Sequence, residues 1–234
     1  MNVLAVAAHP DDIEQLCGGT LIKYAREGHT VTACHATLGD RGSFTHTSQE
    51  IAALRWQEAD KASSVMGTVH RTLHLSDGEV NAADPGQRRA VIDLIRSARP
   101  DVILTHATND YMADHVEISR LVLDASHIAT IPLLETEHPA HELVPPVLYF
   151  DPLAGVGFDP TEYVDVSDVF EQKLEALRCH ESQLVWLKDH DGVDIVDQTR
   201  VMGAFRGYQC GVRYAEGFRS AMTWLRAVPR RVLP

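Results

Sequence analysis

The chain has no apolar run long enough to cross a bilayer, so a transmembrane helix is not expected. Its four cysteines, Cys17, Cys34, Cys179 and Cys210, form no CxxC pair, which argues for reduced, mostly buried thiols. Positive charge is scarce: 21 Lys and Arg face 33 Asp and Glu, for a net charge of −12. Nucleic acid and anionic membrane are therefore poor partners. Gly18-Gly19 does not make a G-x-G-x-x-G, and no acidic residue closes the second strand as a dinucleotide site requires. The N-terminus lacks the basic flank and cleavage pattern of a signal peptide, and no internal repeat or low-complexity linker appears. What remains is a soluble cytoplasmic protein, a single domain over residues 1–234, with 44% hydrophobic residues to fill a core.

The chain is organised around residues 3–20. Val3 to Ala8 is a short apolar run that reads as a buried strand. Pro10 has no N–H and cannot extend a central strand, so the strand ends there. His9-Pro10-Asp11-Asp12 thus puts one imidazole and two carboxylates on the strand tip, before the Gly18-Gly19 turn and a helix. Such residues suit zinc, whose catalytic sites keep three protein ligands and a water. Two adjacent Asp can divide the work, one on the metal and one taking a proton from water. A plain helix N-cap accounts for Asp12 alone, but less well for His9, Asp11 and Asp12 together. Cys17, beside the glycine turn, is a candidate for lining the site; no basic residue flanks it, which makes it a weak nucleophile.

Strand and helix alternate along the chain, which predicts an α/β fold with a mostly parallel sheet and helices on both faces. Strands are predicted over 29–37, 69–75, 101–105, 147–150 and 163–166. Helices are predicted over 18–27, 48–66, 85–98, 114–129, 168–183 and 197–204, the last extending past Gly207. Ser48 and Asp168 are candidate caps, and a basic unstructured tail is predicted from Trp224. The proline-rich loop 130–146 is long enough to suggest a functional role in shaping an acyl pocket. Parallel strands place His9–Asp12, Asp40-Arg41, Asp77 and residues 106–115 at one sheet edge, so groups 100 residues apart should converge.

The second constellation is Thr105 to His115. His115, after Asp114 at a helix start, is a candidate third metal ligand, against the alternative of a capped helix with a solvated histidine. His106 is either a partner behind the ligands or a core histidine bonded to backbone. His138 and His141, separated by Pro139, read as a solvated polar loop rather than a ligand pair. The other histidines have no evident partner.

On these residues the chain resembles the LmbE/PIG-L family of zinc-dependent N-deacetylases, which includes the de-N-acetylases of mycothiol, bacillithiol and glycosylphosphatidylinositol synthesis. The resemblance runs over about residues 1–185. It rests on His9-Pro10-Asp11-Asp12, Gly18-Gly19-Thr20, the Gly39 turn, Arg55 with Glu58, Asp114-His115, and Lys173 with the later His180-Glu181-Ser182-Gln183. It implies a Rossmann-like fold, zinc on His9, Asp12 and His115, Asp11 as general base, and substrate contacts near Asp40, Arg55 and Asp77. Asp114 and His106 are the candidates to stand behind the ligands, and the family adds the expectation of a homo-oligomer.

The chain departs from the family at one position. The family's second motif reads HPDH; here it reads Met112-Ala113-Asp114-His115. Methionine cannot donate the hydrogen bond that the first histidine supplies to an oxyanion. Three nearby groups are candidate replacements: His180 first, for its charge-assisted donor, then Tyr111, then His106. The expected activity is zinc-dependent removal of an N-acyl, chiefly N-acetyl, group from an amino sugar or its conjugate. The alternatives are a zinc amidohydrolase acting on another amide or a carbamoyl group in secondary metabolism, and a catalytically impaired sugar-binding homologue.

Overall fold

A computed structural model describes residues 1–224; the expected tail, Trp224 aside, lies outside them. Seven strands form one sheet: β1 (Asn2–Ala7), β2 (Thr30–Thr37), β3 (Val69–Leu75), β4 (Val102–Thr105), β5 (Val147–Phe150), β6 (Glu162–Asp165) and β7 (Ala215–Ser220). Their order is β3-β2-β1-β4-β5-β7-β6. β1 to β5 are parallel, while β7 pairs antiparallel with both β5 and β6. This is a Rossmann-like α/β arrangement.

The helices are α1 (Asp12–Leu16), α2 (Gly18–Arg26), α3 (Ser48–Met66), α4 (Pro85–Ala98), α5 (Ala113–Ile128), α6 (Phe170–Arg178), α7 (Glu181–His190) and α8 (Ile195–Cys210). β1 shows how they cover the sheet. Val3, Ala5 and Ala7 enter one apolar cluster with Leu21, Ile22 and Phe170. Leu4, Val6 and Ala8 enter the other with Ile92, Ile118 and Leu121. A strand buried on both faces reads as an unbroken apolar run, as Val3 to Ala8 does. Among the described residues no helix is long and apolar enough to cross a membrane.

Chain order reverses between β1 and β4, so the loops that follow them part and leave a crevice at the carboxyl edge of the sheet. The four polar loops meet at this edge. The 130–146 loop does not. It leads into β5, so it runs at the opposite edge, where Arg96 donates to the carbonyls of Ala129, Ile131, Leu134 and His138. His138 pairs with Asp93, and His141 binds the Pro100 carbonyl. The expectation that this loop shapes the acyl pocket is corrected by topology.

Several elements also differ from expectation: Val169, not Asp168, precedes α6, and the Asp168 carboxylate pairs with Lys23 instead. Thr47, not Ser48, caps α3, through a reciprocal pair with Glu50. The single helix expected over 168–183 is two. Buried Glu58 on α3 accepts from the Ser182 N–H and hydroxyl at 2.8 and 2.6 Å, which fixes a fresh helix start after His180. β7 was not expected, because Ala-Glu-Gly-Phe-Arg-Ser lacks apolar alternation. Its Glu216 is buried instead, accepting from the N–H groups of Gly19 and Thr20 and pairing with Lys173 at 2.6 Å. Gly19 is required there: a Cβ would stand 2.8 Å from the Val166 side chain.

Candidate active site

β1 ends at Ala7, and His9 to Asp12 turn from the strand tip into α1. The turn holds Asp11 at φ 113°, a left-handed conformation that side chains rarely adopt and that costs about 1–3 kcal/mol. It directs Asp12 Oδ2 back to accept from the His9 N–H at 2.7 Å. From the β4 side, α5 brings in His115 from its first turn.

Three ligand atoms then converge. His9 Nδ1 lies 3.4 Å from Asp12 Oδ2, His115 Nε2 lies 3.4 Å from the same oxygen, and the two nitrogens are 3.3 Å apart. The edges of a zinc tetrahedron with bonds of about 2.0–2.1 Å are about 3.3–3.4 Å long, so the triangle has the size of one zinc face. The far side of each imidazole faces a carboxylate. His9 Nε2 donates to Asp114 Oδ2 at 3.1 Å, and His115 Nδ1 to Asp110 Oδ2 at 3.0 Å. Protons held there leave the inward nitrogens as lone-pair donors. The residues present therefore fit a zinc ion. A second group, His106, Asp110 and His115, is also close enough to hold a metal. It shares His115, and its Asp110 already accepts from that ring, so the first group is the better fit.

His106 stacks on His115 with ring centroids 3.8 Å apart. Its Nε2 lies 3.0 Å from the Ala8 N–H and 3.3 Å from Asp12 Oδ2. Burial, then the charge of His115, lowers its pKa to about 4 and keeps it neutral. His106 is thus bonded to the backbone and packed against His115 and Asp12. Burial opposes ionisation of Asp12, but His115 and His106 overcome this and hold the carboxyl well below its usual range. Asp11 behaves oppositely: burial and then the charge of Asp12 raise it to about 7. Two adjacent carboxyls are thereby driven apart in acidity.

The crevice opens into a cavity of about 880 Å³. His9, Asp11, Asp12, Tyr111, Met112 and His115 line it, together with residues from 152–157 and 183–198. Asp40, Arg55 and Asp77 do not line it; their side chains hold loops. Asp77 accepts from the N–H groups of Gly39 and Arg41, and Asp40 from the Asp77 N–H and the Ser76 hydroxyl. Arg55 donates to the Gly39 and Gly42 carbonyls at 2.8 Å each. Gly39 is needed for that clamp, since a Cβ on it would stand 2.5 Å from the Arg55 side chain. Cys17 is also outside the cavity, fully buried in the core, where burial raises its thiol well above the usual range.

His180 is fully buried, and it too lies behind the cavity wall. Its Nε2 is 3.3 Å from Glu14 Oε2, which His35 Nε2 approaches at 3.2 Å from the other side. Against the cost of burial, Glu14 raises the His180 pKa. Sequence reasoning missed Glu14 and Asp110. Both had a signal in their spacing, two residues beyond Asp12 and five before His115.

A sequence profile described as PIG-L, GlcNAc-PI de-N-acetylase, matches residues 4–126, which carry every strand and loop that builds this triangle. The chain belongs to the PIG-L family. Among its relatives, a diacetylchitobiose deacetylase from Thermococcus kodakarensis is 28% identical over 230 residues, covering 93% of this chain and 82% of that protein. The crystal structure of the N,N'-diacetylchitobiose deacetylase from Pyrococcus horikoshii superposes with a TM-score of 0.80 at 25% identity, covering 93% of this chain and 82% of that one. A 4-carboxy-2-hydroxymuconate hydratase from Pseudomonas putida KT2440 superposes with a TM-score of 0.81 at 23% identity, covering 98% and 99% of the two chains. That likeness concerns the fold alone, so the function of this PIG-L protein has to be argued from its site.

Proposed function

We propose that this PIG-L protein is a zinc-dependent amide hydrolase that removes the N-acetyl group of an amino sugar or amino-sugar conjugate. The observation that carries the reading is the triangle of His9 Nδ1, Asp12 Oδ2 and His115 Nε2, at 3.3–3.4 Å, beside a carboxyl raised to about 7. The deacetylase relatives support the choice of amide and sugar.

His9, Asp12 and His115 would hold the zinc, which supplies Lewis acidity toward an acyl oxygen and toward water. Asp114 and Asp110 keep the two imidazoles aimed. Asp11 takes the proton of the attacking water as the new C–O bond forms. It then returns that proton to the departing nitrogen as the C–N bond breaks, giving acetate and a free amine. A group titrating near 7 suits both transfers. Tyr111 lines the cavity, and its hydroxyl is the proposed donor to the oxyanion. His180, the first candidate from sequence, lies too deep for that; it acts on Asp11 through charge, as a positioning residue.

Incubation with N-acetylglucosamine glycosides tests the reading, with acetate and free amine both quantified. Equimolar release is expected. Loss of substrate without amine, or no reaction by zinc-loaded protein, overturns it.

A further inference from the structure

A second groove, of about 330 Å³, shares no lining residue with the catalytic cavity. Helix α7 contributes to both. Gln183 and Leu187 line the cavity, while Glu181, Trp186 and Asp189 line the groove, with the stretch 42–46 after β2 and one face of α3. Phe44 is 69% exposed in this groove, yet the turn that carries it is tied down. Ser43 Oγ accepts from the N–H groups of Thr45 and His46 at 3.2 and 3.0 Å, and Arg55 holds the Gly42 carbonyl. The Phe44 ring lies 4.7 Å from that of Trp186, tilted by 45°. His190, one turn further along α7, stacks on the same indole at 4.4 Å and does not line the groove. Phe44 and His190 are 6.0 Å apart, closer than rings on opposite faces of the indole would stand, so Trp186 is not sandwiched between them. The charges of the groove have one sign. No Lys or Arg lines it, and His46 shares its Nδ1 with the hydroxyls of Ser43 and Thr45. Glu58 is buried and bonded to Ser182. Glu181 and Asp189 are exposed, and neither carboxylate has a hydrogen bond or ion pair among the described residues.

We propose that this groove binds an organic ammonium cation, with the rings of Phe44 and Trp186 against its alkyl groups and Glu181 and Asp189 balancing its charge. The face of an aromatic ring is electron-rich and attracts a cation, and tryptophan does so most strongly. Alkyl groups on the nitrogen suit such a surface, because they leave the charge weakly hydrated and bury apolar area as well. Two exposed carboxylates alone hold a cation weakly, so the rings have to supply the selectivity. An anion would meet two carboxylates and no cationic partner. A neutral ligand would use the rings and gain nothing from the acidic residues beside them. The volume is that of a small-molecule site. Methylated amines and amino sugars share this chemistry, and the site stands whether or not the catalytic cavity hydrolyses an amide.

Calorimetry with zinc-loaded protein tests this with two pairs of probes. Choline is compared with 3,3-dimethylbutan-1-ol, which has its shape without its charge, and glucosamine is compared with glucose. At least one cation is expected to bind about tenfold more tightly than its neutral counterpart, the preference a cation–π contact supports. Choline leads if the ligand is a methylated amine, and glucosamine if it is an amino sugar. The double variant Glu181→Gln with Asp189→Asn, at two exposed positions, should remove the preference. Phe44→Leu should weaken binding of the preferred cation about tenfold. Tyr111→Ala, in the catalytic cavity, should change neither, which separates the groove from the acidic site beside it. No binding of either cation, equal binding within both pairs, a preference that survives the double variant, or one that is lost with Tyr111→Ala overturns the proposal.

Discussion

Asp11→Asn should make the metal-free protein more stable and the zinc-loaded protein nearly inactive. The buried Asp11 carboxyl is raised from its usual 3.8 to about 7, by burial first and by Asp12 second. An acid whose folded pKa lies above its unfolded one loses stability as pH rises between the two values. Below about 4 the carboxyl is protonated in both states and contributes no difference. Above about 7 the full cost applies. At 1.36 kcal/mol per unit the interval is worth about 4 kcal/mol as an upper bound. Asparagine keeps the shape and cannot ionise, so its advantage over wild type should grow from near zero at pH 4 to a few kcal/mol at pH 8. Urea denaturation at four pH values, with a chelator present, measures this. Activity should move the other way, falling by about 10²–10⁴-fold with zinc retained. A stability difference that does not change with pH, or turnover within a few-fold of wild type, would refute the reasoning.

Other expectations follow from single contacts. His9→Ala removes one corner of the triangle and should abolish stoichiometric zinc, as measured by atomic absorption after dialysis. Tyr111→Phe should lower kcat and kcat/KM together by about 10²–10³-fold if its hydroxyl serves the oxyanion, and Met112→His should raise both. Arg206 holds Asp151 with two hydrogen bonds of 2.8 and 2.6 Å beneath the 152–157 wall, and both side chains are buried. Arg206→Ala leaves that carboxylate unpaired and should cost about 3–5 kcal/mol in chemical denaturation.

The parts of the site that were legible in the sequence are those where local chemistry and topology agree. Val3 to Ala8 could only be a doubly buried strand, and Pro10 fixed where it stopped. Parallel order then carried His115 to the same edge. The fate of Asp40, Arg55 and Asp77 was not legible, because a polar residue on a loop looks the same whether it faces a substrate or a neighbouring N–H. β7 and the break before α7 were hidden for a related reason. Both depend on buried carboxylates, Glu216 and Glu58, whose backbone N–H partners lie more than a hundred residues away in sequence. The cavity walls come from residues 152–157 and 183–198, where neither periodicity nor motif marks a pocket. The 130–146 loop, by contrast, attracted attention through length and proline alone, although its place before β5 set it on the wrong edge.

Amine release from a phenyl N-acetylglucosaminide, before and after removal of the metal, tests the proposed activity most directly. Release should stop on chelation and return in full with one equivalent of zinc per chain. Release indifferent to the chelator, or none from protein carrying one zinc, would contradict a zinc hydrolase built on His9, Asp12 and His115.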